Sequence, residues 1–234
     1  MGNILITASH FQTLCQKAIH LLESNGHQVI LNDHELPYYS FEELAVWAPE
    51  IDGAIIGMDQ WNEQVFQIAP KLKILARFGV GVDNIDLEAA KRHGIQVVNA
   101  AGMNANAVAE LAVAMILNCL RGIPELNRKL TDGQWSRAVG RDLLGKTVGL
   151  LGFGDIGGRV AKKLSGFEVR LLAYDPYPNR EKAAALGVTL TDLDTVLTQS
   201  DILSIHMPSI PATRHVMNRE TFAKMKPDSY FINT

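Results

Sequence analysis

Short runs of apolar, β-branched residues recur along the whole chain. Between them lie longer stretches in which apolar positions fall three and four apart. The first half carries NILIT (3–7), QVIL (28–31), GAIIG (53–57), LKILA (72–76) and IQVVN (95–99). The second carries TVGLL (147–151), EVRLLAY (168–174), VTL (188–190), DILSI (201–205) and YFIN (230–233). Their nearly continuous apolar character predicts strands covered on both faces, as parallel strands are. Helices are predicted between them, for example over 11–24 and 87–93. Asn84 or Asp86 can cap the start of the second, and Gly94 can end it. Strand and helix in alternation predict an α/β protein with parallel sheets.

The segment 104–121 is apolar beyond what one helical face requires. Val108, Leu111, Ala112, Met115, Ile116 and Cys119 share a face, while Ala109, Val113, Leu117 and Leu120 fill the others. Such a helix is expected to be buried, either centrally or against another subunit. A homodimer built around it is the expected assembly. Gly122 and Pro124 are expected to end it. The polar stretch 130–146 is expected to run over the surface. These features divide the chain into a first domain over 1–98 and a second over 99–234.

Composition narrows the picture only a little. The 234 residues are 47% apolar and 20% charged, the balance of an ordinary globular protein with a sizeable core. The net charge of −3, with no basic block, gives no reason to expect nucleic acid or an anionic membrane as partner. Cys15 and Cys119 match no metal or disulfide pattern, and Cys119 is expected to be a buried small hydrophobe. MGNILITASH lacks the features of a signal peptide, and the apolar run AVAELAVAMILNCL is too short to span a bilayer. A cytoplasmic protein is expected.

The chemistry-bearing motif is TVGLLGFGDIGGRVAKKL. Gly152, Gly154 and Gly157 stand as G-x-G-x-x-G after an apolar strand. They open a helix that has Ile156, Val160 and Leu164 four residues apart. In that context Gly152 permits a tight turn, Gly154 lets the backbone approach a pyrophosphate, and Gly157 lets helix and strand pack closely. The N–H groups of Asp155 and Ile156 then face the pyrophosphate. The Asp155 carboxylate fits there only if it points to solvent. Asp175 follows the next strand, 18 residues after Gly157. It can accept hydrogen bonds from the adenosine ribose hydroxyls and would repel a 2′-phosphate, which favours NAD over NADP; a turn aspartate before Pro176 is the plainer alternative. Further strand ends lie at His206, Met207 and Pro208 and at Thr234. Ligands of open α/β sheets collect at such ends.

Several motifs in order carry a resemblance. LARFGVGVDNIDLEAAKRHGIQVVNAAGMNANAVAELAVAMIL, GLLGFGDIGGRVAKKL, AYDP, HMPSIPATRHVMNRETFAKMKP and FINT resemble the D-isomer-specific 2-hydroxyacid dehydrogenases, in particular the phosphoglycerate dehydrogenase branch. The resemblance runs from about Leu72 to Thr234 and more loosely over the first 70 residues. It implies a flavodoxin-like substrate domain followed by a Rossmann NAD-binding domain, incomplete at the C-terminus, with substrate in the cleft between domains. It implies that Gly79, Val80 and Gly81 form a carboxylate-binding loop; glycines suit such a loop because backbone N–H groups can converge on an anion. It implies that Asn104 contacts substrate, although a helix cap explains it as well. Val80 and Met207 match positions lining the cofactor pocket, with core packing as the alternative.

The family's arginine, glutamate and acid/base histidine have no counterpart in this sequence; the resemblance places them after Thr234. The chain is therefore expected to be a fragment of a longer protein and inactive alone. Of His10, His20, His27, His34, His93, His206 and His215, only His206 lies near the expected nicotinamide. In phosphoglycerate enzymes an arginine after the third strand can meet the phosphate. This chain has GMDQW (57–61), and Asp59 is expected to oppose a phosphate there. The implied activity is hydride transfer between NAD(H) and a small D-2-hydroxy or 2-keto acid, with 3-phosphoglycerate, glycerate, glycolate and lactate all open. An NAD-sensing corepressor-like protein of the same fold is the rival reading, since fold alone does not decide function.

Overall fold

The computed structural model describes residues 1–31, 38–137 and 139–234; His34 lies outside them. The chain divides into two compact units, Met1–Ala101 and Gly102–Thr234.

The first unit is a five-stranded parallel sheet of β1 (Asn3–Ile6), β2 (Gln28–Leu31), β3 (Gly53–Ile56), β4 (Ile74–Arg77) and β5 (Gln96–Asn99). Its order is β2-β1-β3-β4-β5, the flavodoxin-like order. The helices between the strands are α1 (Phe11–Leu14), α2 (Gln16–Ser24), α3 (Phe41–Trp47), α4 (Glu63–Gln67) and α5 (Leu87–Arg92). Caps set their starts. Ser40 and Glu43 close a capping box on α3, and Asn62 accepts two N–H groups of α4. Asp86 caps α5 through Ala89 N at 2.9 Å. Asn84, the other candidate, instead donates to Gly57 O and Asp59 O. The single helix expected over 11–24 is broken at Cys15, whose φ of −121° leaves the helical region. Phe11 and Ile19 are both buried in one cluster with Ile6 and Ala8. The main core of the unit gathers Leu5, Ile56, Trp61, Phe66 and Leu75.

The second unit begins with α6 (Ala105–Arg121) and α7 (Ile123–Thr131). A second five-stranded parallel sheet follows: β6 (Thr147–Leu151), β7 (Arg170–Tyr174), β8 (Val188–Leu190), β9 (Ile202–Ile205) and β10 (Tyr230–Asn233). The helices α8 (Asp155–Leu164), α9 (Arg180–Ala185), α10 (Leu193–Gln199) and α11 (Arg219–Lys224) connect the strands. The order β10-β9-β6-β7-β8 is the Rossmann order, reversing direction between β6 and β9. All five residues of β6 are buried, as its central place requires. On α8, Val160 and Leu164 are fully buried; each such side chain contributes about 1.5–3 kcal/mol.

Four expectations for this unit are corrected. The buried face of α6 is Ala105, Ala109, Ala112, Ile116 and Leu120, which packs against α8. Small residues win that face because α8 presents Ala161 in the same cluster as Ala109 and Ala112, so the two helices can come close. Leu111 and Cys119 are exposed, so Cys119 is not a buried hydrophobe. Gly122, at φ +61°, ends α6 as expected, but Pro124 sits in the first turn of α7 and so helps to start a helix. The strand expected from Glu168 begins at Arg170, because Glu168 is left-handed at φ +55°. Among the described residues no single helix is long and apolar enough to cross a membrane.

Candidate functional site

The Gly-rich turn of the second unit shows three glycines with three separate physical reasons. Gly152 has φ +95°, and a Cβ there would lie 2.8 Å from His206 C and O; it lets β6 turn sharply against the end of β9. A Cβ on Gly157 would lie 2.2 Å from Gly152 O, so α8 presses directly on the turn. A Cβ on Gly154 would meet nothing within 4 Å. Packing does not explain that glycine; open space above the backbone is what an approaching pyrophosphate needs. Asp155 and Ile156 follow in the first turn of α8, where free N–H groups and the helix dipole favour an anion. The Asp155 side chain is half-exposed and pairs with Arg159 Nε at 3.0 Å, which answers the objection to a carboxylate beside phosphate.

Asp175, at the end of β7, is tied to the same turn. Its Oδ2 accepts Phe153 N at 2.7 Å and its Oδ1 accepts Tyr177 N at 2.8 Å. It is thus a turn aspartate as well as a ribose candidate: each carboxylate oxygen has a second lone pair for a hydroxyl. At the end of β9, Met207 is half-buried and packs against the Leu151, Leu172 and Leu203 cluster, so core packing accounts for part of its role. Met207 and the exposed Pro208 also border a cavity of about 310 Å³, with Ile205, Thr213, Arg214 and Asn233. Thr234 is exposed just past β10.

His206 joins the two sides of the switch point. Its Nε2 lies 3.0 Å from the buried Ser204 hydroxyl, and Nδ1 is buried with no partner among the described residues. Burial pushes the imidazole down to about 4. It is therefore neutral at neutral pH. The pH dependence of stability follows. Between about 6.5, the unperturbed value, and about 4, the unfolded chain binds a proton that the folded chain refuses. Stability should thus fall as pH drops through that window, by on the order of 3 kcal/mol. Denaturant titrations from pH 7 to 4 should show that slope and its flattening in His206→Asn; parallel profiles would sink the assignment.

In the first unit, the loop after β4 holds Gly79, Val80 and Gly81. Ala100 N donates to Gly79 O at 2.9 Å, and Asn99 Nδ2 donates to Val80 O at 2.7 Å. Each trans peptide points its N–H opposite to its carbonyl. With both carbonyls held by residues 99 and 100, the N–H groups of Val80 and Gly81 face the other way, as an anion cradle requires. Val80 is 41% exposed, which removes the core-packing alternative for it. Arg77, which sequence reasoning passed over, lies at the same loop. Its Nη1 donates to Phe78 O at 2.7 Å, and a Cβ on Gly79 would come within 2.9 Å of that nitrogen. The expectation that Asp59 opposes a phosphate is corrected. Asp59 is 1% exposed and accepts hydrogen bonds from Thr7 Oγ1, Tyr39 N and Gly57 N. Asn104, in the second unit, precedes α6 but makes no side-chain cap bond. The cap explanation is withdrawn, and its exposed amide is left for another partner. Among the described residues no cluster of His, Cys, Asp or Glu could hold a metal.

Comparison with known proteins gives a consistent result. Residues 113–234 match the profile of the D-isomer specific 2-hydroxyacid dehydrogenase NAD binding domain. The chain is 39% identical over 220 residues to a hydroxypyruvate reductase of Thermotoga maritima, covering 91% of this chain and 71% of that protein. It is 37% identical over 225 residues to a D-3-phosphoglycerate dehydrogenase of Archaeoglobus fulgidus, covering 95% of this chain but only 42% of that one. Among solved structures, an NAD-dependent formate dehydrogenase from Staphylococcus aureus in complex with NAD superposes with a TM-score of 0.83 at 30% identity. That match covers 100% of this chain and 73% of the other.

Proposed function

The chain belongs to the D-isomer specific 2-hydroxyacid dehydrogenase family, and from that membership we propose that the protein transfers a hydride between NAD(H) and a small D-2-hydroxy or 2-keto acid. The observation that carries the nucleotide half is the unfilled space over Gly154, beside a turn built tightly at Gly152 and Gly157. The second unit would serve as the NAD-binding domain and the first as the substrate domain. The Asp155 and Ile156 N–H groups would hold the pyrophosphate and Asp175 the adenosine ribose. The 206–208 segment and Thr234 would border the nicotinamide half. Bound NAD supplies the hydride acceptor. The protein's own part is orientation: the Val80 and Gly81 N–H groups would receive the substrate carboxylate. Arg77 beside that loop adds a positive charge that suits an anionic substrate.

Asp175 should make NAD bind at least about tenfold more tightly than NADP, through repulsion of the 2′-phosphate. Calorimetry with the two cofactors tests this. Asp175→Ala should narrow the ratio, and equal binding by the unaltered protein would refute it.

We propose a homodimer formed through the outer face of α6 and the segment that follows. Leu111 is 53% exposed and Trp135 83%, with Met103, Ile123 and Leu130 also exposed. So much apolar surface along one stretch is expected to be covered by a second copy. Sedimentation should show a dimer that Leu111→Asp weakens; a monodisperse monomer at high concentration contradicts it.

A further inference from the structure

The Gly-rich turn is gripped from outside by one side chain of the following βα unit. Lys182, on α9, donates from Nζ to Gly154 O at 2.7 Å. Its ammonium stands 5.4 Å over the Phe153 ring, within cation–π range. Its stem occupies the place where a Cβ on Gly158 would stand, 2.1 Å from Lys182 Cε and 2.2 Å from Nζ. Glycine weakens a helix interior, and Gly158 needs no left-handed backbone. Room for Lys182 is the reason the structure offers for it.

The Gly154–Asp155 peptide is planar and trans, so its carbonyl and its N–H point in opposite directions. Gly154 O already accepts the first helical bond from Gly158 N at 3.1 Å. Lys182 adds a second, charge-assisted bond to the same oxygen. The Asp155 N–H is thereby held pointing opposite to that carbonyl, away from the body of α8. The nearby acidic side chain on α8, Asp155, is already paired with Arg159, so the charge of Lys182 is not spent on it.

We propose that Lys182 is a positioning residue for the pyrophosphate: it holds the Gly154–Asp155 peptide with its donor outward and adds positive charge to the turn. This rests on reading 152–157 as the dinucleotide turn.

The test compares ADP-ribose, which carries the pyrophosphate, with adenosine, which lacks it, on the unaltered protein, Lys182→Met, Lys182→Arg and Gly158→Ala. Lys182→Met should weaken ADP-ribose by about tenfold and leave adenosine unchanged. Lys182→Arg should recover most of the loss, since it keeps a charged donor. Gly158→Ala should reproduce the loss, because its methyl group displaces a flexible side chain while favouring the helix. It also keeps the test alive should Lys182→Met fail to fold. The double variant should lose no more than either single one. Unaltered protein that binds ADP-ribose, with Lys182→Met within twofold of it, overturns the inference alone. So does an equal loss of ADP-ribose and adenosine, which would make Lys182 merely structural. Failure of the unaltered protein to bind ADP-ribose overturns the dinucleotide reading and this inference with it.

Discussion

Gly154→Val should leave the fold intact and weaken NAD by more than about 100-fold, whereas Gly157→Ala should damage both fold and binding. The two glycines sit three residues apart in one motif, yet their surroundings are opposite. Around a Cβ at 154 there is no atom within 4 Å, so a side chain is accommodated by the protein and collides only with the ligand. Around a Cβ at 157 the Gly152 carbonyl stands at 2.2 Å, and backbone cannot swing aside as a side chain can. The helix must move off the turn, at about 1–3 kcal/mol or more. Thermal unfolding and calorimetry together separate the cases. Gly154→Val with unchanged NAD affinity would mean the turn is only structural. Gly157→Ala with native stability would mean the close approach of α8 is not needed.

The second large effect is expected at Asp59, far from any motif. Its carboxyl group is buried at the carboxyl ends of β1 and β3 and receives Tyr39 N at 2.6 Å, Gly57 N at 3.3 Å and the Thr7 hydroxyl. Its own carbonyl accepts Asn84 Nδ2 at 2.6 Å, which ties this cluster to the loop that carries Gly79, Val80 and Gly81. Asp59→Ala removes an acceptor at which three donors converge, where water does not replace it. A loss of about 3–5 kcal/mol is expected, with Asp59→Asn costing less because it keeps shape and one acceptor. Denaturant midpoints at constant m-value measure it. A loss below about 0.5 kcal/mol, the range of ordinary surface changes, would show that the cluster does not hold these loops.

Much of the molecule is legible without coordinates because its signals are local. A parallel strand covered on both faces must be continuously apolar, and the central strands β3 and β6 stand out for that reason. The outer strands β2 and β5 also read as apolar runs, but most of their residues are exposed or only partly buried, which corrects the expectation that every strand is covered on both faces. The glycines of the nucleotide turn are legible because their spacing is tied to one strand–turn–helix geometry, and Asp175 because a strand of fixed length separates it from them. The Asp86 cap and the Gly94 stop work within a few residues of where they stand. The order of strands in each sheet, by contrast, follows from which edges pair, and runs of apolar residues do not encode it.

What only the tertiary structure decided rests on partners distant in sequence. α6 is apolar on more than one side, so periodicity alone could not choose its buried face; packing against α8 chose it and left Leu111 and Cys119 outside. Asn104 looks like a cap by residue type, yet its side chain makes no such bond. Asp59 looks like a charge facing substrate, until Thr7 and Tyr39, 52 and 20 residues away, are seen to enclose it. Lys182 is one more charge on a short helix until α9 docks and brings its ammonium to a carbonyl 28 residues earlier. A hydrogen bond has a reach of about 3 Å in space and none along the chain, so the groups that position this site became visible only when folding brought them together.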